Sequence, residues 1–221
     1  MAETMTATGT NTPRERYRAQ IRAEITRHAW EQIATAGASA LSLNAIAKQM
    51  GMSGPALYRY FAGRDELITA LVREAYRSLA DTLREAAAAG ADLSALAHAL
   101  RDWALTDPQR YFLVYGTPVP GYHAPEDTTA ISSEIMTTLL DACAALPGAA
   151  FASAFGDHLA DHRDWAAGHP APPGTLHRFL VFWTRLHGVL SLELAGHFSG
   201  MDLDPALLFR AEVDELTAPR P

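Results

Sequence analysis

Cysteine is almost missing from this chain: Cys143 is the single one in 221 residues. Intrachain disulfides and thiolate zinc sites are thereby excluded, and Cys143 is expected to be a small buried hydrophobe. Long apolar runs are missing too. No stretch nears the ~18 consecutive apolar residues of a membrane span, and the polar first dozen residues lack the apolar centre of a signal peptide, so a cytoplasmic protein without membrane contact is expected. Runs of strand-type alternation are absent, which argues against sheets. There is no nucleophile elbow, no phosphate-cradling glycine loop and no His-Glu-x-x-His helix. No catalytic residue is therefore assigned, and neither an enzyme nor a cofactor is expected. Charged residues make up only 19% against 48% hydrophobic, which is ample apolar material for folded cores.

What charge there is lies unevenly. The net charge of −7 divides into ten basic against seven acidic residues up to Arg77, giving +3, and 8 against 18 thereafter, giving −10. A basic head on an acidic body suits a polyanion at one end only, because Lys and Arg attract phosphate and an acidic surface repels it.

The pattern of apolar residues is helical throughout. Residues 1–13 read as a disordered tail. From Arg14, the residues Ile21, Ile25, Ala29 and Ile33 recur every fourth position, joined by Trp30, until Gly37 stops the helix. Ser42 can cap a second helix whose Leu43, Ile46, Ala47 and Met50 form one stripe, ended by Gly51. Ser53 can cap a third, with Pro55 in its first turn, running to about Phe61. Arg64-Asp65-Glu66 opens a long fourth helix to about Ala89. Further helices are expected over roughly 93–105, 108–115, 128–146, 150–165, 175–198 and 205–216, with proline-rich loops at 117–125 and 168–174.

Residues 42–61 thus read as helix, tight turn, helix. At 100° per residue, Leu57 and Phe61 project together towards the second helix, while Pro55, Tyr58 and Arg59 fall on the opposite side. A helix that enters a major groove needs this division, with one face anchored and the other presenting donors and flat groups to base edges. Arg59 suits guanine, Pro55 a thymine methyl, and Tyr58 a base or a phosphate. Ser42, Asn44, Lys48, Ser53, Tyr60 and Arg64 lie around that face and suit phosphates, setting register without reading sequence.

The stretch from Leu41 to Leu67 resembles the DNA-binding domain of the TetR family of regulators. Ile46-Ala47, Gly51, Ser53, Leu57-Tyr58, Tyr60-Phe61 and Leu67 stand at the family's spacing, and Arg64 replaces the usual lysine after the recognition helix. The close resemblance covers residues 21–80. In the remainder, Trp183, His187 and Gly188 resemble a Trp-His-Gly pattern found in one subgroup of the family's C-terminal domains. The resemblance implies an all-α chain: a three-helix helix-turn-helix domain over 14–63, with Gly54 and Ala56 on the recognition helix among the DNA-binding residues, then a helical effector-binding and dimerisation domain over 64–217. It implies double-stranded operator DNA and a small-molecule effector as partners. It also implies a homodimer whose last two substantial helices pair with their copies as a four-helix bundle, for which Leu176, Leu180, Trp183, Leu190 and Leu194 supply apolar surface.

An effector pocket would be a mostly apolar cavity between helices with a few polar anchors. Trp103, Tyr111, Phe112, Tyr115, Met136, Phe179, Trp183 and His187 are candidates on side-chain character, although most such residues, taken singly, are ordinary core. Asp157, His158, Asp161 and His162 share one helix side at a spacing able to hold a divalent ion, but a solvated surface explains four polar groups more simply, and no metal is assigned. The expected function is a repressor released from a pseudo-palindromic operator by its effector. The alternatives are a ligand-independent architectural DNA-binding protein and an all-helical enzyme.

Overall fold

The computed structural model describes residues 12–123, 125–147 and 154–218, so the expected tail lies outside it apart from Thr12 and Pro13. These two open the first helix, α1 (Pro13–Ala36). Thr12 and Glu15 form a capping box: the Glu15 amide donates to the Thr12 hydroxyl (3.3 Å) and the Thr12 amide to the Glu15 carboxylate (2.7 Å). Helices α2 (Leu43–Gln49) and α3 (Gly54–Leu57) follow. Next come α4 (Arg64–Ala88), α5 (Leu93–Thr106), α6 (Pro108–Tyr115), α7 (Glu126–Ala145), α8 (Ala154–Asp161), α9 (Pro173–Leu194) and α10 (Pro205–Thr217). The described residues contain no strand, so the all-α expectation holds.

The chain forms two compact units, a head of the described residues up to Leu71 with Val119–Tyr122, and a body of the rest. In the head, Ile25, Ala29 and Ile33 of α1, Leu43, Ile46 and Ala47 of α2, and Leu57, Phe61, Leu67, Ile68 and Leu71 beyond are buried. Each large member contributes roughly 1.5–3 kcal/mol by leaving water. The turn between α2 and α3 is set by Gly51 at φ 64°. Its left-handed backbone lets the Met52 amide reach the Ala47 carbonyl at 2.8 Å and the Gly51 amide the Lys48 carbonyl at 3.2 Å, a closure that a β-carbon would strain.

The body is organised on α9. Its Leu176, Phe179, Phe182, Leu186 and Leu190 are buried, and it packs against α5, α7, α8 and α10. Arg178 ties it to the end of α7, donating to the carbonyls of Cys143 (3.1 Å), Leu146 (3.0 Å) and Pro147 (2.9 Å). Arg101 of α5 makes a two-pronged pair with Glu193, its Nη2 2.5 Å from Oε1, with both side chains under 15% exposed. Arg185 pairs with Glu212 and Glu215 of α10. Cys143 is buried, and burial pushes its thiol up to about 12.

Three helix ends differ from the sequence reading. Helix α3 stops at Leu57, and residues 58–60 form a turn closed by the Tyr60 amide on the Leu57 carbonyl (2.8 Å). Its N-cap position is Ser53, as expected, but the Ser53 hydroxyl makes no cap hydrogen bond. The helix expected over 150–165 is α8, ending at Asp161, with Trp165 in a separate 3-10 turn (Asp164–Ala166) and 150–153 outside the described residues. Arg163 draws the chain back there by donating to the carbonyls of His169 (2.6 Å) and Ala171 (2.8 Å). Helix α9 ends at Leu194, not Phe198, because Gly196 at φ 76° reverses the chain. The His197 amide then donates to the Leu192 carbonyl (2.9 Å) and the Gly196 amide to the Glu193 carbonyl (3.0 Å), a Schellman closure.

Candidate functional site

In the head, the outer side of α3 is built from the inside. Leu57 and Phe61 are 0% exposed, which locks the short helix down on α2. Pro55, Tyr58 and Arg59 are exposed on the other side, Tyr58 to 46%. Four residues of helix give little rigidity of their own, because a single turn fixes many dihedrals for few hydrogen bonds. The rest comes from α1. Arg18 donates to the Arg59 carbonyl (3.2 Å), and its guanidinium lies 5.8 Å from the Tyr60 ring centroid. Arg22 donates to the Tyr60 carbonyl, stands 3.9 Å above the Phe61 ring and pairs with Glu66 at 3.3 Å. Glu66 in turn accepts from the Ala62 amide (2.6 Å). Cations at a helix C-terminus are favourable because the last carbonyls carry partial negative charge, so α1 both fastens α3 and surrounds it with positive charge.

The remaining predicted residues of the head group around this face. Asn44 and Lys48 are exposed on α2, and a β-carbon built on Gly54 would stand 3.5 Å from Asn44 Oδ1, so the two helices touch closely there. Ser42 caps α2 by accepting from the Ala45 amide (3.3 Å), while its own amide donates to Gln32 (3.0 Å). Ala56 and Tyr60 are half-buried, Ser53 exposed. Arg64 is placed differently from a free phosphate anchor: its Nη2 donates to the carbonyls of Ala38 (3.0 Å) and Ser39 (3.3 Å), bracing the turn ahead of α2. Sequence reasoning missed Arg14, Tyr17 and Arg18, which with Arg59 and Tyr60 line a depression of about 290 Å³. The signal was present: Arg14, Arg18 and Arg22 are four apart and share one helix side.

In the body, Tyr111, Tyr115, Trp183, His187, Gly188 and Ser191 line a cleft of about 320 Å³ between α6 and α9. Tyr115 meets Trp183 edge-on at 5.5 Å and the His187 ring at 4.4 Å; Trp183 lies 4.1 Å from His187. The Tyr111 hydroxyl lies 2.9 Å from His187 Nδ1 and 3.3 Å from the His187 carbonyl. The phenol has one proton for the two: given to the carbonyl, it leaves Nδ1 to carry the hydrogen that donates to Tyr111 and Nε2 as a bare acceptor; given to Nδ1, it leaves the ring hydrogen on Nε2. Burial pushes His187 down to about 4 and Tyr111 up to about 12, so both are neutral at pH 7. Four of the eight candidate effector residues thus meet at one cleft, whereas Trp103, Phe112, Met136 and Phe179 do not line it. Trp103 is 8% exposed and donates to Ser78 (3.1 Å), Phe112 and Met136 pack partly buried on the core, and Phe179 is 0% exposed between Trp165 and Trp183.

On α8 and just beyond it, the His158 and His162 rings stack at 4.0 Å, and His162 Nδ1 lies 3.0 Å from the His158 carbonyl. Among the described residues no three His, Cys, Asp or Glu side chains converge as metal ligands, the set Asp157, His158, Asp161 and His162 included. No described helix is long and apolar enough to cross a membrane.

Comparison with known proteins bears on both units. Residues 25–71 match the bacterial regulatory proteins of the tetR family, and residues 93–216 match the tetracyclin repressor-like C-terminal domain. An HTH-type transcriptional regulator of Mycobacterium tuberculosis (strain ATCC 25618 / H37Rv) is 38% identical over 91% of this chain and 92% of its own. The crystal structure of SCO4313, described as a regulatory protein, is 70% identical, covers 93% of this chain and 98% of its own, and superposes with a TM-score of 0.87. The TetR family transcriptional regulator PfmR from Thermus thermophilus, at 15% identity with 87% and 96% covered and a TM-score of 0.57, shares the fold. With an exposed helix-turn-helix face in the head and both units matched, the chain belongs to the TetR family of DNA-binding transcriptional regulators, and is not an enzyme.

Proposed function

We propose that this regulator is a homodimeric repressor that leaves a pseudo-palindromic operator when a small molecule enters the body. The observation that carries the DNA half of this reading is the two-sided α3, buried at Leu57 and Phe61 and open at Pro55, Tyr58 and Arg59. Arg59 donates to a guanine, Pro55 touches a thymine methyl, and Tyr58 contacts either a base or a phosphate. Ser42, Asn44, Lys48, Ser53 and Tyr60 hold the backbone, joined by Gly54 and Ala56 at the start of α3 and by Arg64 through the turn it braces.

Two copies pair through α9 and α10. In support, Leu192, Met201, Leu203 and Leu207, all near the end of α9 and the start of α10, are 38–62% exposed, whereas Leu176 and Leu190, expected from the sequence to supply this surface, are 0% exposed because they fill the body's own core. Their recognition helices then enter successive major grooves about one turn, ~34 Å, apart. An effector in the Tyr111–His187 cleft stabilises a different spacing, and affinity falls because only one spacing fits both half-sites. The domain division follows as a DNA-binding domain over 14–63 and an effector-binding and dimerisation domain over 64–217.

A gel shift of DNA from upstream of the protein's own gene, at fixed salt, tests this reading. A sequence-preferring shift abolished by one metabolite from a panel is expected. A shift equally strong on any DNA and indifferent to every metabolite would leave an architectural protein instead.

A further inference from the structure

The wall of the body's cleft contains two features that the chain's own packing does not explain. The first is His187 Nε2, which is buried and has no hydrogen-bond partner among the described residues. A ring nitrogen sealed from water and left without a partner is a standing penalty in either tautomer. The second is Gly188. It sits in the interior of α9, where glycine disfavours a helix relative to alanine, yet a β-carbon there would meet nothing within 4 Å. Neither a tight turn nor a neighbouring helix of the same chain requires glycine at that place. A body lying against the exposed α9 backbone, such as a ligand that fills the cleft, would account for it.

The other walls narrow the chemistry. Tyr115 and Trp183 offer flat ring faces and edges, and Ser191 adds a hydroxyl one turn along from His187. None of the six lining residues bears a charge at neutral pH, so an ion entering the cleft would lose its hydration without gaining a counter-charge. Resting on the effector reading above, the geometry points to an uncharged, flat aromatic ligand that donates an N–H or O–H to His187 Nε2, with the ring hydrogen on Nδ1, while its ring lies along Gly188 beside Tyr115 and Trp183. Because Nε2 has almost no contact with solvent, the donor reaches it only as the Tyr115 or Trp183 ring turns aside.

The test uses the full-length protein and two probes of nearly the same shape: indole, which has a ring N–H, and benzofuran, which has none. Calorimetric titration should give saturable binding of indole, at least about ten-fold tighter than benzofuran, the ratio set by satisfying one buried acceptor. His187→Phe should bring the two probes to equal affinity, and His187→Gln, which keeps an acceptor, should restore part of the preference. Gly188→Ala should raise the melting temperature of the free protein and weaken both probes. Without any substitution, the 15N resonance of His187 Nε2 should move upfield on adding indole and stay still on adding benzofuran.

Benzofuran binding as tightly as indole, no saturation by indole into the millimolar range, or a Gly188→Ala change in oligomer size with unaltered probe affinity would each overturn the inference. The operator reading fails separately. His187-dependent indole binding that leaves the gel shift intact sinks effector release and keeps the site. A metabolite that frees DNA equally from the wild type and from His187→Phe sinks the site and keeps the release.

Discussion

Arginine is used differently in the two units. In the head, Arg18 and Arg64 donate to backbone carbonyls, and Arg22 does so while also touching Glu66. In the body, Arg77 meets Glu134 at 2.6 Å, Arg101 meets Glu193 at 2.5 Å, and Arg185 meets both Glu212 and Glu215. A guanidinium bound to a carbonyl keeps its full charge in the surrounding field. One bound to a carboxylate is locally cancelled. The +3 and −10 of the two stretches therefore understate the contrast: Arg18 and Arg64 of the head are fixed in place yet left electrically available, whereas Arg101 and Arg185 of the body are internal fasteners cancelled by carboxylates, although Arg163 and Arg178 there also bind carbonyls and Arg27 of the head pairs with Glu31.

Breaking a fastener should have the largest effect. Arg101→Met strands Glu193 in a nearly closed site and should lower stability by about 3–5 kcal/mol, whereas Arg101→Met with Glu193→Leu should recover most of that loss; urea unfolding measures both. If the single variant is no less stable than the pair, the contact is a surface ornament. Next in size is Arg59→Ala, expected to weaken the preferred operator by roughly 1–3 kcal/mol and relax preference at one base, read by gel shift across a set of single-base variants. A uniform loss over all of them would remove Arg59 from base reading.

A pH effect of the body follows from His187. The folded-state value of His187 is depressed from 6.5 to about 4, so the unfolded chain binds the extra proton first. Stability from this group is full above 6.5 and is lost as pH falls towards 4, and His187→Gln should flatten that limb of a thermal-melt pH profile. Smallest is Arg18→Ala, which should weaken all sequences alike and lower the salt slope of binding by about one charge. Arg18→Ala unties one carbonyl, that of Arg59, and Arg64→Ala two, those of Ala38 and Ser39, so the salt slope and not the affinity alone is the readout for either.

The two sides of α3 and the turn after it were legible in the sequence from the angle per residue, and Leu57, Phe61, Pro55, Tyr58 and Arg59 all stand on the expected sides because the turn continues the helical sense. Its end was not legible, since the carbonyls of Arg59 and Tyr60 are taken by Arg18 and Arg22, 41 and 38 residues away. Local periodicity carries no information about such a partner. The end of α9 was within reach, because Gly196 is the kind of residue that closes a helix; apolar residues continuing to Phe198 masked it. Candidate lining residues chosen by aromatic character mix two populations, because core and cleft draw on the same side chains. Phe179 and Trp183 are four residues apart on one helix, and only their neighbours decide which is sealed and which borders open space. Spacing offered a better guide, since Trp183, His187 and Ser191 repeat every fourth residue on the cleft side of α9.

The buried thiol of Cys143 leaves the exterior chemically blank. Its high proton affinity and its place in the core keep it from maleimides and from mild oxidants. A cysteine introduced at exposed Tyr17 or Leu105 would then be the sole reactive one, and a probe attached there could follow each unit of the native chain without first stripping out a residue of its interior.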